Sequence, residues 1–452
     1  MKKNLLSLLF VLPIVCFISC GNGDDDTEIK DTQSVTINDD GTTSDGSRFT
    51  GINENSFYLD YINYSLEEGH LTVAGYDKVG FNGIVKIYPS ITYKGKKYEV
   101  LTISKQAFQG CSKLTQLTIP NTITTIGKEA FSGCLKMESV EIGNSVKTIN
   151  DEAFWGCSSL KTITIPQSVN IIGNDAFGYC FGLTSLTIPK SVMTIRDGAF
   201  ANCVNLASIT VENGNSYFDS RDDCNAIIKT TSNELIAGCK NTVVPSSVKS
   251  FANSAFNGCK DLKNITIPDG ATKIGDEAFK GCSNLTSITI PSSVTSIGEN
   301  AFKSCELLTS VSLNCEKIGD WFRDNKYIKE LTIGDNVKSI GDNAFDGCSG
   351  ISTVSIGNSV TSIGSNAFNG CSNLKSVVIP NSVTTIGGLS FYKCRSLTTM
   401  TIPSSVTSIG SYAFYYCRGL TSLTIPSSVT SIECTAEPTL FLCCKPNNWF
   451  IF

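Results

Sequence analysis

Cysteine is the residue type with the greatest chemical potential in this chain, because its thiol can ligate metals, form disulfides or act as a nucleophile. The 452 residues include 20 cysteines and a single histidine. Most of the cysteines recur every 23 residues. Each occupies the same position of a repeating unit, which we call the slot. Fourteen slots follow one another, and Asn325 holds one of them. The cysteines in the others are Cys111, Cys134, Cys157, Cys180, Cys203, Cys239, Cys259, Cys282, Cys305, Cys348, Cys371, Cys394 and Cys417.

Three roles compete for these thiols. Zinc sites use close C-x-x-C pairs and partner histidines, which this spacing lacks, so we predict no metal. Disulfides between adjacent slots would span ~5 Å at Cα, which is allowed, but parallel side chains keep their Cβ atoms too far apart. The third role is a buried free thiol that fills a small space in the core. We favour this structural role, and Asn325 agrees with it because its amide can also bond to the backbone.

Catalytic and cofactor-binding patterns are weak. His70 lies beside Glu67 and Glu68 and has no recognisable partner for nucleophilic catalysis. No phosphate-binding or dinucleotide-binding glycine motif is found in the sequence. Glycoside cleavage needs only two acids at a suitable separation, but we interpret the recurring acids as surface charges in turns. Those acids are Asp151, Glu152, Asp276, Glu277 and Asp342. We therefore predict a protein that is not an enzyme and has no cofactor.

The repeat itself predicts the architecture that positions these residues. Phenylalanine stands three residues before the slot in 13 of the 14 units, and Ile236 is the exception. The unit "LTSITIPSSVTSIGENAFKSC" predicts a short strand that ends at Pro291, a second extended stretch, and a turn that directs Phe302 inward. A period in the twenties with fixed apolar slots indicates a solenoid, in which each unit needs a neighbour on both sides.

The motif L-x-x-L-x-I followed by P-x-S-V-x-x-I-G-x-x-A-F-x-G-C resembles the leucine-rich repeats of the BspA-like family of bacterial surface proteins. The resemblance covers roughly residues 101–432, and residues 55–100 resemble the β-rich N-terminal cap of that family. It implies a leucine-rich repeat solenoid of 23-residue repeats, stacked into a curved parallel sheet behind a small β cap. The cap would cover the open edge of the first coil.

The N-terminal sequence predicts export. Residues 1–19, "MKKNLLSLLFVLPIVCFIS", have two lysines and an apolar run that suits a signal peptide. Together with "CGNGDDD" they resemble Bacteroidetes surface lipoproteins, which implies a lipid on Cys20 and a place on the outer face of the outer membrane. Residues 20–54 contain few large apolar groups, so we predict a flexible tether. No basic cluster is present, which argues against nucleic acid as a partner.

Three places break the repeat. Residues 211–238 add 13 residues, and "NAIIK" and "ELIAG" predict a hairpin that protrudes from one coil, either a family elaboration or a partner contact. The contact would use Tyr217, Phe218, Arg221, Asp222 and Asp223. A second break loses three residues and brings in Trp321, which we interpret as packing. Residues 433–452 abandon the pattern without a polar cap, and we hypothesise a truncation or a reading-frame change near Glu433.

These features favour a non-catalytic binding or adhesion protein. The strands expose rows of Thr and Ser, interrupted by Glu141 and Glu330, that could sum many weak contacts with host-matrix proteins or the surfaces of other cells. BspA-like relatives are associated with adhesion, and the resemblance implies that class. Glycan capture for a surface uptake system is an alternative, as is a non-functional copy. Sugar-binding platforms usually need exposed aromatic rings, which the Thr rows do not offer. The aromatic residues lie instead around the turns, at Tyr179, Phe181, Tyr392, Tyr415 and Tyr416.

Overall fold

A computed structural model describes residues 34–79, 81 and 83–432, which form a β-rich cap followed by a solenoid of stacked parallel coils. A regular coil contains a long strand, a short strand and a turn that carries the repeated Phe and Cys. Apolar side chains alternate with Thr and Ser in the strands, so one side of each strand is buried and the other faces solvent. No α-helix occurs in the described part of the chain. The predicted leucine-rich repeat solenoid is confirmed.

The long strands pair in parallel and in register from one coil to the next, as Ile288 with Val311 and Val311 with Leu331 illustrate. They hydrogen-bond as three sheets rather than one, because residues 161–166 and 263–267 lack strand pairing while their inward side chains stay in the core. The long strands are Gln116–Ile119, Ser139–Ile142, Ser185–Ile188, Ser208–Val211, Ser287–Ile290, Ser310–Leu313, Glu330–Ile333, Thr353–Ile356, Ser376–Val378 and Thr399–Thr401.

The short strands form a second set of parallel ladders, on the other side of the core. Each has two residues, of which the second is buried in nearly every coil. They are Thr125–Ile126, Thr148–Ile149, Ile171–Ile172, Thr194–Ile195, Ser250–Phe251, Lys273–Ile274, Ser296–Ile297, Lys317–Ile318, Ser339–Ile340, Ser362–Ile363, Thr385–Ile386, Ser408–Ile409 and Ser431–Ile432.

The β-rich cap closes the first coil at both ladders. Its strand Lys96–Ile103 pairs with the first short strand, and Ile84–Lys86 pairs with the first long strand. These two pairings satisfy the edge that the first coil would otherwise expose. The strands of the cap are Val35–Thr36, Phe49–Asn53, Ser56–Leu59, Ile62–Glu67, His70–Tyr76, Ile84–Lys86, Ser90–Tyr93 and Lys96–Ile103.

The cap begins earlier than the predicted boundary at residue 55. Val35 is buried and pairs with Ile91, and the strand Phe49–Asn53 pairs with Ser56–Leu59. Residues 34–54 therefore belong to the fold, and for them the prediction of a flexible tether is wrong. A few apolar side chains are enough to fold this segment, because the rest of the cap sheet supplies most of the buried surface.

Phenylalanine rings stack into a column inside the coils, in two runs. Ring centroids of successive units lie 5.2–6.2 Å apart with nearly parallel planes, from Phe108 to Phe200 and from Phe256 to Phe414. The column explains why one aromatic residue is repeated at a fixed place: each ring is buried by the ring above and below it. The core divides into two clusters, which meet where Ile236 replaces Phe.

The cysteines form a second column and have the predicted structural role. All 15 cysteines of the described residues are free and buried. Each regular thiol donates a hydrogen bond to the Phe carbonyl of the preceding coil, for example Cys180 to Phe154 at 3.2 Å and Cys305 to Phe279 at 3.1 Å. Burial raises the pKa of Cys305 to about 12, so the thiol keeps its proton at neutral pH. Asn325 bonds to the backbone differently, because its side-chain oxygen accepts hydrogen bonds from the N–H groups of Tyr327 and Ile328.

The insertion at residues 211–238 is part of the stack and does not protrude from it. Its strands are Phe218–Asp219, Ala226–Lys229 and Glu234–Gly238, with a 3-10 turn at Arg221–Asp223. The strand Glu234–Gly238 pairs in parallel with the next short strand and so joins that ladder. The hairpin is buried on both faces, with Ile227 in the N-terminal core cluster and Ile228 in the C-terminal one. It forms a partition between the two clusters, and the prediction of a protruding hairpin is wrong.

Candidate functional site

One regular surface of the solenoid is the strand face, which we define as the outward side chains of the long strands and of the equivalent residues in unpaired coils. The predicted hydroxyl row is confirmed as solvent-facing. Most of these hydroxyls bond to no other group of the described residues, although Thr187 and Thr210 lie 3.2 Å apart. Neighbouring coils repeat the row every ~4.8 Å. The row includes Thr118, Thr164, Thr187, Thr266, Thr289, Ser312, Thr332, Ser355, Thr401 and Thr424.

Three residues change the chemistry of the strand face. Glu141 and Glu330 are exposed there, as the sequence predicts, and Glu141 accepts a hydrogen bond from Thr118 at 3.3 Å. Val378 is 78 % exposed in the same row, paired with Thr401. The sequence analysis missed Val378, although a valine at a position that is Thr or Ser in most coils was a visible signal.

The predicted contact residues of the insertion do not form one surface. Phe218 is only 3 % exposed and packs in the core, so its prediction as a contact residue is wrong. Arg221 is a structural clamp: it bonds to Asp219 at 2.7 Å and to Asn233 at 2.7 Å. Tyr217, Asp222 and Asp223 remain exposed.

Aromatic residues cluster on the turns, as predicted, and away from the strand face. The turn patch is defined by Trp155, Tyr179 and Phe181, with exposures of 36–41 %. Trp155 and Tyr179 have ring centroids 5.1 Å apart, and Tyr179 and Phe181 are 6.0 Å apart. A second group of rings, Tyr392, Tyr415 and Tyr416, lies on turns of the last coils. Sequence reasoning missed Trp155, which follows the column residue Phe154.

One further feature is a cleft between two coils at the second break in the repeat. This short-coil cleft has a volume of about 500 Å³ and is lined by the turn of residues 297–304 and by residues 320–327. Trp321 is half-buried there and takes the slot that holds a fully buried Ala in neighbouring coils, such as Ala301 and Ala344. The interpretation of Trp321 as packing is confirmed in part, because it packs against the core and also lines the cleft.

One acid departs from the interpretation of turn acids as surface charges. Asp175 is half-buried, and burial together with the nearby carboxylates of Glu152 and Glu277 raises its pKa to about 6. The folded state therefore binds the proton more tightly than the unfolded chain does, and this contribution to stability is lost as the pH rises from about 4 to about 6.

Replacing Asp175 by Asn should stabilise the protein above pH 6. The full pKa shift corresponds to about 3 kcal/mol, which solvent screening of a half-exposed group reduces to about 1 kcal/mol. Urea unfolding at pH 7.5 should show this gain, and at pH 4 the two proteins should be equal. Asp269→Asn, on an exposed turn, is the matched control and should change neither value. A gain that is the same at both pH values would contradict the charge argument.

Comparison with known proteins places the chain in a family. The model of the BspA type Leucine rich repeat region (6 copies) matches residues 101–223, 234–352 and 316–437. The chain belongs to this family. It is similar to a leucine-rich repeat protein from Bacteroides ovatus, with 32 % identity, a TM-score of 0.64, and coverage of 82 % of this chain and 95 % of that chain. A leucine-rich repeat protein from Eubacterium ventriosum is 26 % identical, with a TM-score of 0.57 and coverage of 85 % and 98 %. No curated protein matches the sequence.

The remaining predicted sites of this BspA-type chain concern chemistry and anchoring. His70 pairs across the cap with Glu67, in the antiparallel sheet. Among the described residues, no group of three or more His, Cys, Asp or Glu side chains is arranged to hold a metal ion. The same residues include no helix with the length and hydropathy of a membrane span. The predicted lipidation site Cys20, the signal peptide at 1–19 and the segment 433–452 lie outside the described residues.

Proposed function

We propose that this BspA-type protein is a non-catalytic, lipid-anchored protein of the outer membrane that binds macromolecules outside the cell through its strand face. The observation that carries the proposal is the row of exposed hydroxyls, held in register by stacked coils with buried cores. A rigid polar surface of this kind loses little side-chain entropy on binding, since Thr and Ser are short. Many weak hydrogen bonds could then add up over a long contact.

The partner class follows from the polar and nearly uncharged character of this face. Hydroxyl groups both donate and accept, so they suit the polar surfaces of extracellular proteins or of other cells rather than a highly charged polymer. The family membership supports adhesion, and the signal-like N-terminus supports a place at the cell surface. Glu141, Glu330 and Val378 give individual coils of the face different chemistry, which would allow selectivity between partners.

A strand-face variant tests the proposal: Thr289→Lys, Thr332→Lys and Thr401→Lys together. Lysine at these exposed positions should reduce binding of the full chain to immobilised matrix proteins and to bacterial cells by about tenfold or more. The thermal midpoint should change little, because surface substitutions cost ~0.5 kcal/mol or less each. Binding and midpoint are measured by surface plasmon resonance and calorimetry.

A matched control separates the strand face from the rest of the coil. Thr194→Lys, Ser296→Lys and Thr385→Lys together place the same added charge on exposed residues of the short strands. This control should bind as the parent does. Equal loss in both variants would attribute the effect to net charge, and no loss in the strand-face variant would overturn the proposal.

Glycan capture is the second candidate function, and the turn patch is the observation that favours it. Exposed aromatic rings commonly supply the apolar platform on which a sugar ring packs, and Trp155, Tyr179 and Phe181 present three such rings within one surface. A glycan array probed with the parent chain and with Trp155→Ala distinguishes this function from adhesion through the strand face.

A further inference from the structure

The short-coil cleft exists because two neighbouring coils separate at their turns while their cores stay together. The rings of Phe302 and Phe322 remain stacked at 5.3 Å with planes 14° apart, as in the regular coils. The indole of Trp321 fills the space between these two rings and solvent. It is far larger than the alanine that the neighbouring coils have at this position. The coil is also three residues shorter than its neighbours, so the turn cannot follow the regular path.

Opening the turns releases backbone hydrogen-bond donors. In the preceding coil Glu277, Phe279 and Gly281 donate their N–H groups to Glu299, Ala301 and Lys303, at 2.8–2.9 Å. The equivalent N–H groups of Asn300, Phe302 and Ser304 have no backbone acceptor among the residues that the structure describes. In the next coil only the last of the three bonds is present, from Asp324 to Asp346 at 2.7 Å, and the full ladder resumes in the coil of Phe345. Since backbone N–H groups need a partner when they are removed from water, this interruption marks a place that can receive one.

Side chains around the cleft supply further hydrogen-bonding groups. The carboxylates of Glu299 and Asp320 and the amide of Asn300 line it, and none of them has a side-chain hydrogen bond or ion pair within the described residues. The indole of Trp321 packs its edge against Gly319, where a Cβ would lie 2.7 Å from Nε1. Tyr327, which is 42 % exposed, adds a second aromatic ring to the lining.

The charges of the cleft argue against an anionic ligand. Three carboxylates line it against two basic side chains, and one of these, Arg323, already pairs with Asp346 at 3.3 Å. An anionic ligand would meet an excess of negative charge, and an apolar peptide would leave the polar lining without partners. A ligand with many hydroxyl groups and a partly apolar face fits both the donors and the two aromatic rings. The volume of about 500 Å³ lies within the range of small-ligand pockets.

We propose that the short-coil cleft binds a neutral saccharide of one or two rings, with a sugar face packed on Trp321 and hydroxyls bonded to Asn300, Glu299 and the released backbone N–H groups. The site is separate from both the strand face and the turn patch, so it does not depend on the proposed function. It shares only its ligand chemistry with the second candidate function.

The test titrates the full chain with a panel of neutral disaccharides: cellobiose, maltose, lactose, mannobiose and diacetylchitobiose. Calorimetry and saturation-transfer NMR give affinities, and at least one sugar should bind in the millimolar range or tighter. Trp321→Ala should weaken that binding about tenfold or more, since truncating a central aromatic anchor has large effects. This variant should still fold, because alanine is the residue of the neighbouring coils at this position. Tyr327→Ala, at an exposed side chain, should weaken binding several-fold.

Two controls locate the ligand. Trp155→Ala, in the turn patch, and the strand-face variant should bind the sugar as the parent does. The proposal is overturned if no disaccharide binds, if binding survives both Trp321→Ala and Tyr327→Ala, or if Trp155→Ala abolishes it. Stronger binding of an acidic hyaluronan tetrasaccharide than of every neutral sugar would also overturn it.

Discussion

Replacing Phe279 by alanine should destabilise the solenoid by about 3–5 kcal/mol, the range for removal of a buried aromatic side chain. Its ring is fully buried and stacks with Phe256 at 5.2 Å and with Phe302 at 5.4 Å. Removing it therefore leaves a cavity between two coils and deprives two other rings of a neighbour. Stability is measured by guanidinium unfolding, followed by circular dichroism.

The same substitution at Phe181 is the matched control. Phe181 follows a turn cysteine and is 41 % exposed in the turn patch, so its replacement by alanine should cost less than about 1 kcal/mol. If the two variants lose similar stability, the phenylalanine column does not hold the coils together in the way described.

Replacing Ile227 by alanine should destabilise one half of the solenoid, and replacing the adjacent Ile228 should destabilise the other half. Ile227 and Ile228 are both fully buried, but Ile227 packs in the N-terminal core cluster and Ile228 in the C-terminal one. Each replacement should cost about 2–5 kcal/mol. In a stack of coils, stability depends on the contacts between nearest neighbours, so the loss should begin on the side that each residue faces.

Hydrogen exchange measured by mass spectrometry reads this difference directly. Ile227→Ala should speed exchange first in the coils before residue 211, and Ile228→Ala first in those after residue 248. Thr231→Ala, at the exposed tip of the hairpin, is the control and should change exchange in neither half. The same exchange pattern in both isoleucine variants would contradict the partition.

The repeat made much of the fold predictable. A phenylalanine and a cysteine recur at fixed positions in nearly every unit and have the same environment in the regular coils, so one regular unit predicts the others. The structural role of the thiols also follows, because their spacing matches neither a metal site nor a relaxed disulfide. The acceptor of each thiol, the Phe carbonyl of the preceding coil, was not predictable, since it depends on how far successive coils are offset.

The errors occurred where the sequence is not periodic. The run Ala226-Ile227-Ile228 was a signal of burial on both faces, which a protruding hairpin does not need. The early part of the cap has too few apolar residues to fold alone, so composition favoured a tether. Its order comes from pairing with residues that are distant in sequence, such as Val35 with Ile91.

The candidate sites were predictable to different degrees. The strand face follows from the alternation of Thr and Ser with apolar residues, so its hydroxyl row could be predicted from the sequence. The short-coil cleft could not, although its two causes, the three-residue loss and Trp321, were both visible. Whether a shorter coil stays paired or opens depends on the turn geometry of both coils, which a single unit does not encode.

The most direct test of the account is attachment by intact cells that display the parent chain or the strand-face variant. Cells with equal amounts of surface-exposed chain, determined by labelling, are applied to immobilised matrix proteins and to layers of other bacteria. We predict that the parent attaches to at least one of these surfaces and that Thr289→Lys, Thr332→Lys and Thr401→Lys together abolish attachment. Equal attachment by both kinds of cell, or no labelling of the chain on intact cells, would contradict the account.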